Sequence, residues 1–327
     1  MDLVAPFPWF GGKSRVAPEA WAALGDVDNY VEPFAGSLAV LLGRPAGHTR
    51  RAETVNDADA YLSNFWRALA AAPDEVARHA DWPVNECDLF ARHLWLVNDG
   101  RERIARMEAD PDFYDAKVAG WWVWGINSWI GSGWCSGKGP HGRGDAGQRV
   151  NRVLPQLGNA GKGVNRQLPH LGNRAPGKDL PMLWTDLSLD AYFRTLAARL
   201  RRVRVCCGDW SRVVTDGAMA YGARVGVFLD PPYLGDLRRN DLYRVDDHTI
   251  ADAVRDWALA HGDDPRMRIV LAGYADEHDH LIPPTWRRMV YSASAAYNTH
   301  AGGGDNKQNR HKERLWFSPH CAGRGLL

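Results

Sequence analysis

The sequence predicts an α/β protein built on a largely parallel sheet covered on both faces. Three observations predict it. Apolar, strand-like runs alternate with amphipathic helical stretches over most of the chain, the pattern of crossover connections. Three of those runs lead into an acid, at Asp57, Asp209 and Asp230, so one sheet edge would gather carboxylates. The run from Tyr30 to Leu42 reads as strand, glycine turn and helix, a βα turn of the kind that approaches a nucleoside closely.

Composition sets the class. A chain of 327 residues, 45% hydrophobic and 24% charged, is ordinary for a soluble globular protein with a substantial core. No run of about 18 apolar residues appears, so no membrane span is expected. The first residues show no basic, then apolar, leader, and a cytoplasmic protein is expected. The five cysteines include the adjacent pair Cys206-Cys207 and no C-x-x-C spacing; they read as reduced thiols, with neither zinc nor disulfides.

Taken in order, the first notable stretch is Trp9-Phe10-Gly11-Gly12-Lys13, a glycine loop that brings a cation beside aromatics. A helix follows, Glu19 to Leu24. The turn Glu32-Pro33-Phe34-Ala35-Gly36 then has one turn glycine preceded by an acid, which is not the phosphate-binding G-x-G-x-x-G pattern. That argues for a ligand less anionic than a pyrophosphate. Thr54 to Asp59 is a short strand ending in acids, with a helix from Tyr61 to Ala71 behind it. Asp57 is placed for ribose hydroxyls, while either Asp57 or Asp59 serves equally well as a cap for that helix.

From Pro73 to Asp115 the chain reads as mostly helical, with Trp82, Leu89, Phe90, Leu94 and Leu96 as expected core. The tryptophans between Trp121 and Trp134 are expected to be mainly core, with one or two available to stack on bases. The charge is more telling. Net charge is only +1, yet from 116 to 178 nine cations, including Arg143, Arg149, Arg152, Lys162, Arg166 and Arg174, stand against the single acid Asp145. Such asymmetry points to a polyanion. Within this stretch Val150 to Asn159 recurs as Val164 to Asn173, too short a repeat to bury a core; it reads as a basic arm or a spacer.

Regular structure is expected to resume with a helix from Leu189 to Leu200 and a strand from Val203 into Gly208-Asp209-Trp210. A buried strand, Val225 to Leu229, is stopped by two prolines in Asp230-Pro231-Pro232-Tyr233. A helix from Thr249 to His261, a strand from Arg268 to Ala272 and a last strand near Arg314 to Phe317 complete the reading.

In this order the motifs at Trp9 to Lys13, Glu32 to Ser37, Val55 to Asp57, Gly208 to Trp210 and Asp230 to Tyr233 resemble the Dam-type, S-adenosylmethionine-dependent DNA adenine-N6 methyltransferases. The resemblance implies a Rossmann-like methyltransferase fold. It also implies a catalytic core of residues 1–72 and 181–327, with an inserted target-recognition region of 73–180 carrying the basic arm of 150–178. By position, Trp9 and Lys13 would hold S-adenosylmethionine near the N-terminus. Phe34, Ala35 and Gly36 would form the loop under its methionine part, Asp57 would take the ribose or adenosine, and Asp209 the adenine amino group, with Glu32, Pro33, Trp210 and Asp230 also at the cofactor. Asp230, Pro231, Pro232 and Tyr233 would be catalytic. Asn127 and the arginines and lysines above would meet duplex DNA, and no metal is called for. Two departures stand out: Leu38 replaces a second glycine, and Ala272-Gly273-Tyr274 replaces a Ser-Asn.

The chemistry fits these residue types independently. An exocyclic amine conjugated with its ring is a poor nucleophile. Acceptors at the Asp230 carboxylate and the Pro231 carbonyl would hold its two protons and aim the nitrogen lone pair, and Tyr233 would stack on a base turned out of the duplex. An N4-cytosine or RNA methyltransferase meets the same demand, though the cytosine motif more often begins with Ser. A non-catalytic DNA-binding protein on the same fold is the alternative of another class. Neither the recognition site nor an accompanying restriction enzyme is written in the sequence.

Overall fold

The computed structural model describes residues 3–7, 9, 12–49, 51–110, 112–129, 134–135, 188–232, 247–291 and 313–323. Its helices and strands follow in chain order. The first half contains α1 (Ala17–Leu24), β1 (Asn29–Glu32), α2 (Ala39–Leu42), β2 (Ala52–Asp57), α3 (Ala60–Ala71), α4 (Pro73–Ala80), α5 (Glu86–Trp95), α6 (Arg101–Ile104) and α7 (Ala116–Ser128). The second contains α8 (Leu189–Leu200), β3 (Val203–Cys207), α9 (Asp216–Met219), β4 (Val225–Leu229), α10 (Asp247–His261), β5 (Met267–Tyr274), α11 (Ala275–His278), β6 (Arg287–Val290) and β7 (Glu313–Phe317). The chain divides into two compact units, one of Met1–Val4, Trp9–Ala58 and Arg202–Leu327, the other of Ala5–Pro8 and Asp59–Arg201.

The first unit holds a seven-stranded sheet in the order β3-β2-β1-β4-β5-β7-β6. Strands β3, β2, β1, β4 and β5 pair in parallel, and β7 runs antiparallel between β5 and β6. This is a mixed α/β, Rossmann-like architecture, the fold class expected from the sequence. The centre is buried on both faces, as a covered parallel sheet requires: every residue of β1 and β4 is buried, Asn29 and Glu32 of β1 included. Val225, Val227 and Leu229 of β4 join Ile269 and Leu271 of β5, with Val254 and Ala258 of α10 packed against them. Burying each such side chain is worth about 1.5–3 kcal/mol.

At the edge the rule inverts. Strand β6, Arg287-Arg288-Met289-Val290, is mostly exposed, and its two arginines protect an open edge from further pairing. No strand was expected there, because four residues with two arginines carry no apolar alternation.

The second unit, in the described residues, is helical. Three side chains of the right chemistry start its helices. Asp59 caps α3 by accepting from the N–H groups of Tyr61 and Leu62, Asn85 caps α5 through Asp88, and Asp115 caps α7 through Val118. Its core is aromatic: Phe7 meets Phe65 edge-on with ring centres 5.4 Å apart and Trp122 at 5.1 Å. Trp122 and Trp124 are core, as expected. Trp82 and Leu94 are not; each is 47% exposed. Trp82 instead shares the guanidinium of Arg92 with Trp121 and Trp124, a contact that hydrophobicity does not signal. Helices α3 and α8, assigned from sequence to the catalytic core, belong to this unit. Among the described residues no helix is long and apolar enough to cross a membrane.

Candidate active site

Strand order reverses beside β1, which pairs with β2 on one flank and β4 on the other. A crevice at the carboxyl ends of strands forms at such a point, because the connections leave it on opposite faces. The carboxyl ends of β3, β2, β1 and β4 carry Asp209, Asp57, the loop after Glu32, and Asp230, respectively. All belong to the first unit. The sheet thus brings together motifs scattered from Trp9 to Pro232.

The loop after β1 is tightly held. Gly36 has φ +47, and a Cβ there would lie 2.6 Å from Nε1 of the Trp9 indole. Both facts demand glycine, and they place Trp9 on the loop itself. The Gly36 N–H donates to Oδ2 of Asp57 at 3.0 Å. Asp57 and Asp59, equal candidates from sequence, therefore separate: Asp59 caps α3, while Asp57 ends β2 and ties down the glycine turn. Leu38, in place of a glycine, takes a left-handed conformation (φ 56) with its side chain fully buried. A branched residue there adopts a backbone that glycine would adopt without strain.

Glu32 differs from its expected role in the ligand loop. It is 3% exposed and accepts, on Oε2, from the Tyr30 hydroxyl at 2.9 Å and the Leu41 N–H at 3.2 Å. Both bonds point into the fold. Burial, reinforced by the Asp230 and Asp57 carboxylates and opposed by those two hydrogen bonds, pushes its pKa up to about 8. It is a buried buttress under the loop.

Lys13 also differs. Rather than standing apart from the catalytic motif, its Nζ lies 2.8 Å from Oδ2 of Asp230, with the two side chains 7% and 19% exposed. Burial alone would lower the lysine's pKa, but Asp230 outweighs it, with smaller help from Tyr291 and Glu313, and holds it above the usual value. Pro231 is buried and Pro232 half-buried behind it.

On the other flank, Asp209 is exposed and caps a short 3₁₀ turn by accepting from the Ser211 N–H at 2.9 Å. Trp210 stacks on Phe34, ring centres 6.1 Å apart and planes 29° from parallel. Asn56, which sequence reasoning passed over, is 2% exposed and donates its amide to the carbonyls of both Pro33 and Gly208. A carboxamide at the end of a buried strand was the signal available.

Asn127, expected at DNA, is a core residue of α7 in the second unit. It is 1% exposed, and its Nδ2 donates to the carbonyls of Pro6 and Val123. Tyr233 and the cations Arg143, Arg149, Arg152, Lys162, Arg166 and Arg174 lie outside the described residues. Among the described residues no group of three or more His, Cys, Asp or Glu could hold a metal ion.

Residues 9–88 match the family model described as D12 class N6 adenine-specific DNA methyltransferase. Over that stretch the chain is similar to the D12 class. The family so described consists of N6 adenine-specific DNA methyltransferases. The matched segment contains Lys13, the glycine turn and Asp57, and so covers one flank of the crevice. A search of curated proteins found no match.

The donor set of this sheet edge suits a sulfonium nucleoside. Carboxylates at Asp57 and Asp209 are acceptors of the kind that ribose hydroxyls and an adenine amine need, and Phe34 and Trp210 offer aromatic faces. Among the described residues Lys13 is paired with Asp230, and Arg212 donates to the Cys207 carbonyl at the end of β3. With three carboxylates, Asp57, Asp209 and Asp230, at the strand ends, the edge suits a positively charged cofactor better than a diphosphate.

Proposed function

We propose that this chain methylates the N6 amine of adenine in duplex DNA, at a base turned out of the helix, with S-adenosylmethionine as donor. When bound, that cofactor supplies an electrophilic methyl group on sulfur. The residues of the chain do the rest by positioning. The Asp230 carboxylate and the Pro231 carbonyl accept hydrogen bonds from the two amine N–H groups, which turns the nitrogen lone pair away from the ring and towards the methyl; the one proton the amine sheds as it gains the methyl passes through Asp230 to solvent. Tyr233, the next motif residue, provides the ring on which the extruded base stacks. Asp57 and Asp209 receive the ribose and adenine of the cofactor, and Phe34 and Trp210 flank it. The basic segment of 116–178 gives the sequence its phosphate-binding charge.

One observation carries this reading: the Asp230 carboxylate stands at the carboxyl end of β4, beside the strand-order reversal and next to the glycine turn of β1. An aspartate rather than a serine there favours adenine over cytosine. The test is transfer of labelled methyl from S-adenosylmethionine to duplex DNA, followed by nucleoside analysis. Label in N6-methyladenine is expected. Label in N4-methylcytosine, or DNA binding without transfer, would overturn it.

A further inference from the structure

Two consecutive residues at the end of β2 hold both neighbouring loops. The carbonyl of Asn56 accepts from the Ala35 N–H at 2.9 Å, and the carbonyl of Asp57 accepts from the Gly208 N–H at 3.1 Å. The Asp57 side chain accepts from the Gly36 N–H. The Asn56 side chain then donates to the Pro33 and Gly208 carbonyls, at 3.0 Å each. One carboxamide therefore bridges the loop after β1 and the loop after β3, across the strand between them. Pro33 precedes Phe34, and Gly208 precedes Asp209 and Trp210, so the bridged backbone carries the aromatic pair and one acid of the crevice.

The chemistry of the bridge is specific. Both partners are carbonyls, so the bridging group must offer two donors. An asparagine Nδ2 has two N–H bonds, a serine or threonine hydroxyl has one, and an ionised aspartate has none. The strands themselves do not depend on it. Backbone pairing of β2 with β1 and β3 continues along their length, through Val31 with Thr54 and Val55 with Val205. Losing the amide would free the loops and leave the sheet.

We infer that Asn56 is a positioning residue for the cofactor: it fixes the gap between the Phe34 and Trp210 loops and thereby sets the affinity for the adenosyl ligand. The inference rests on the reading of this edge as the S-adenosylmethionine site. It goes beyond that reading by assigning a step to a residue that does not touch the reacting atoms.

The test compares Asn56→Ala, Asn56→Ser and Asn56→Asp with the parent in three measurements: S-adenosylhomocysteine binding by calorimetry, the KM and kcat for S-adenosylmethionine, and DNA binding. Asn56→Ala should weaken S-adenosylhomocysteine binding and raise KM tenfold or more. Asn56→Ser, with one donor, should do so less, and Asn56→Asp, which sets a carboxylate against two carbonyls, more. In each, kcat at saturating cofactor and DNA affinity should stay within about threefold of the parent. A folded Asn56→Ala with unchanged KM, or with kcat lowered at unchanged KM, overturns the inference. Hydrogen exchange on the parent protein keeps it testable if the variants fail to fold: the Asn56 side-chain amide protons, bonded to the Pro33 and Gly208 carbonyls, should be protected without ligand, and fast exchange there overturns it. A parent that binds neither S-adenosylmethionine nor S-adenosylhomocysteine would instead overturn the proposed function.

Discussion

Lys13 and Asp230 form an ion pair, 2.8 Å from Nζ to Oδ2, at the point where β4 ends. The pair joins the first motif of the chain to the last, and it gives the carboxylate of the proposed site a fixed cationic neighbour. A buried pair is a weak source of net stability, but removing one member strands the other charge at a cost of about 3–5 kcal/mol. Asp230→Ala should therefore do two things. It should abolish methyl transfer, and it should lower unfolding stability by roughly that amount. Lys13→Met on its own should slow transfer at least tenfold. The double variant should be more stable in urea than Asp230→Ala alone, because the stranded ammonium is gone. Additive losses in the double variant would show that the two residues are uncoupled.

The raised pKa of Glu32 predicts a pH dependence. Its folded pKa of about 8 lies above the ordinary 4.5, so between those values the folded chain binds more protons than the unfolded chain. Stability must then fall as pH rises through that window, at up to about 1.4 kcal/mol per pH unit from this one group. Glu32→Gln keeps an oxygen to accept from Tyr30 and Leu41 but has nothing to titrate. Melting temperatures of parent and variant should be close near pH 5, and the variant should lead by a growing margin towards pH 8. Parallel curves would mean that Glu32 is ionised in the fold.

How much of this was legible in the sequence depends on the range of the interaction. The strands Val225–Leu229 and Val203–Cys207 and the helix Leu189–Leu200 announce themselves in consecutive residues, through apolar runs and helical spacing. Asp230 at a strand end was equally legible, because two prolines must stop the strand. The partners were not. Nothing local in Lys13 says that it reaches Asp230, and nothing in Asn56 says that its amide meets carbonyls on two other strands' loops. Glu32 illustrates the same limit from the other side: its place in a motif was visible, but whether the carboxyl faces a ligand or the interior is decided by Tyr30 and the start of α2. Trp82 shows that an aromatic counted as core can instead lie at the surface, against the guanidinium of a buried arginine.

A second buried pair offers a test of the scaffold apart from the chemistry. Arg44 is 4% exposed and donates to Oε1 of Glu53 at 3.1 Å, to the Val27 carbonyl at 2.7 Å and to the Thr49 carbonyl, with its guanidinium over the Trp21 ring. It thereby ties the segment after α2 to the start of β1 and β2. Arg44→Met should cost about 3–5 kcal/mol in urea unfolding, since Glu53 would be left buried without its partner. Pairing it with Glu53→Leu should recover much of that loss. No recovery would locate the cost in the two carbonyl bonds rather than in the charge.

The basic segment of 150–178 can be tested through charge alone. It contains Arg152, Lys162, Arg166, Arg174 and Lys178 and no acid. If these cations neutralise phosphates, each contact releases a counterion, and the slope of log K against log salt steepens by about 0.9 per contact. Replacing the segment with a neutral glycine-serine linker of equal length separates charge from spacing, which a simple deletion would not. DNA affinity should fall and the salt slope should become shallower by about 2 or more, while S-adenosylhomocysteine binding, which depends on the sheet edge, stays unchanged. An unaltered slope with the linker in place would make the segment a spacer and move the DNA contacts elsewhere.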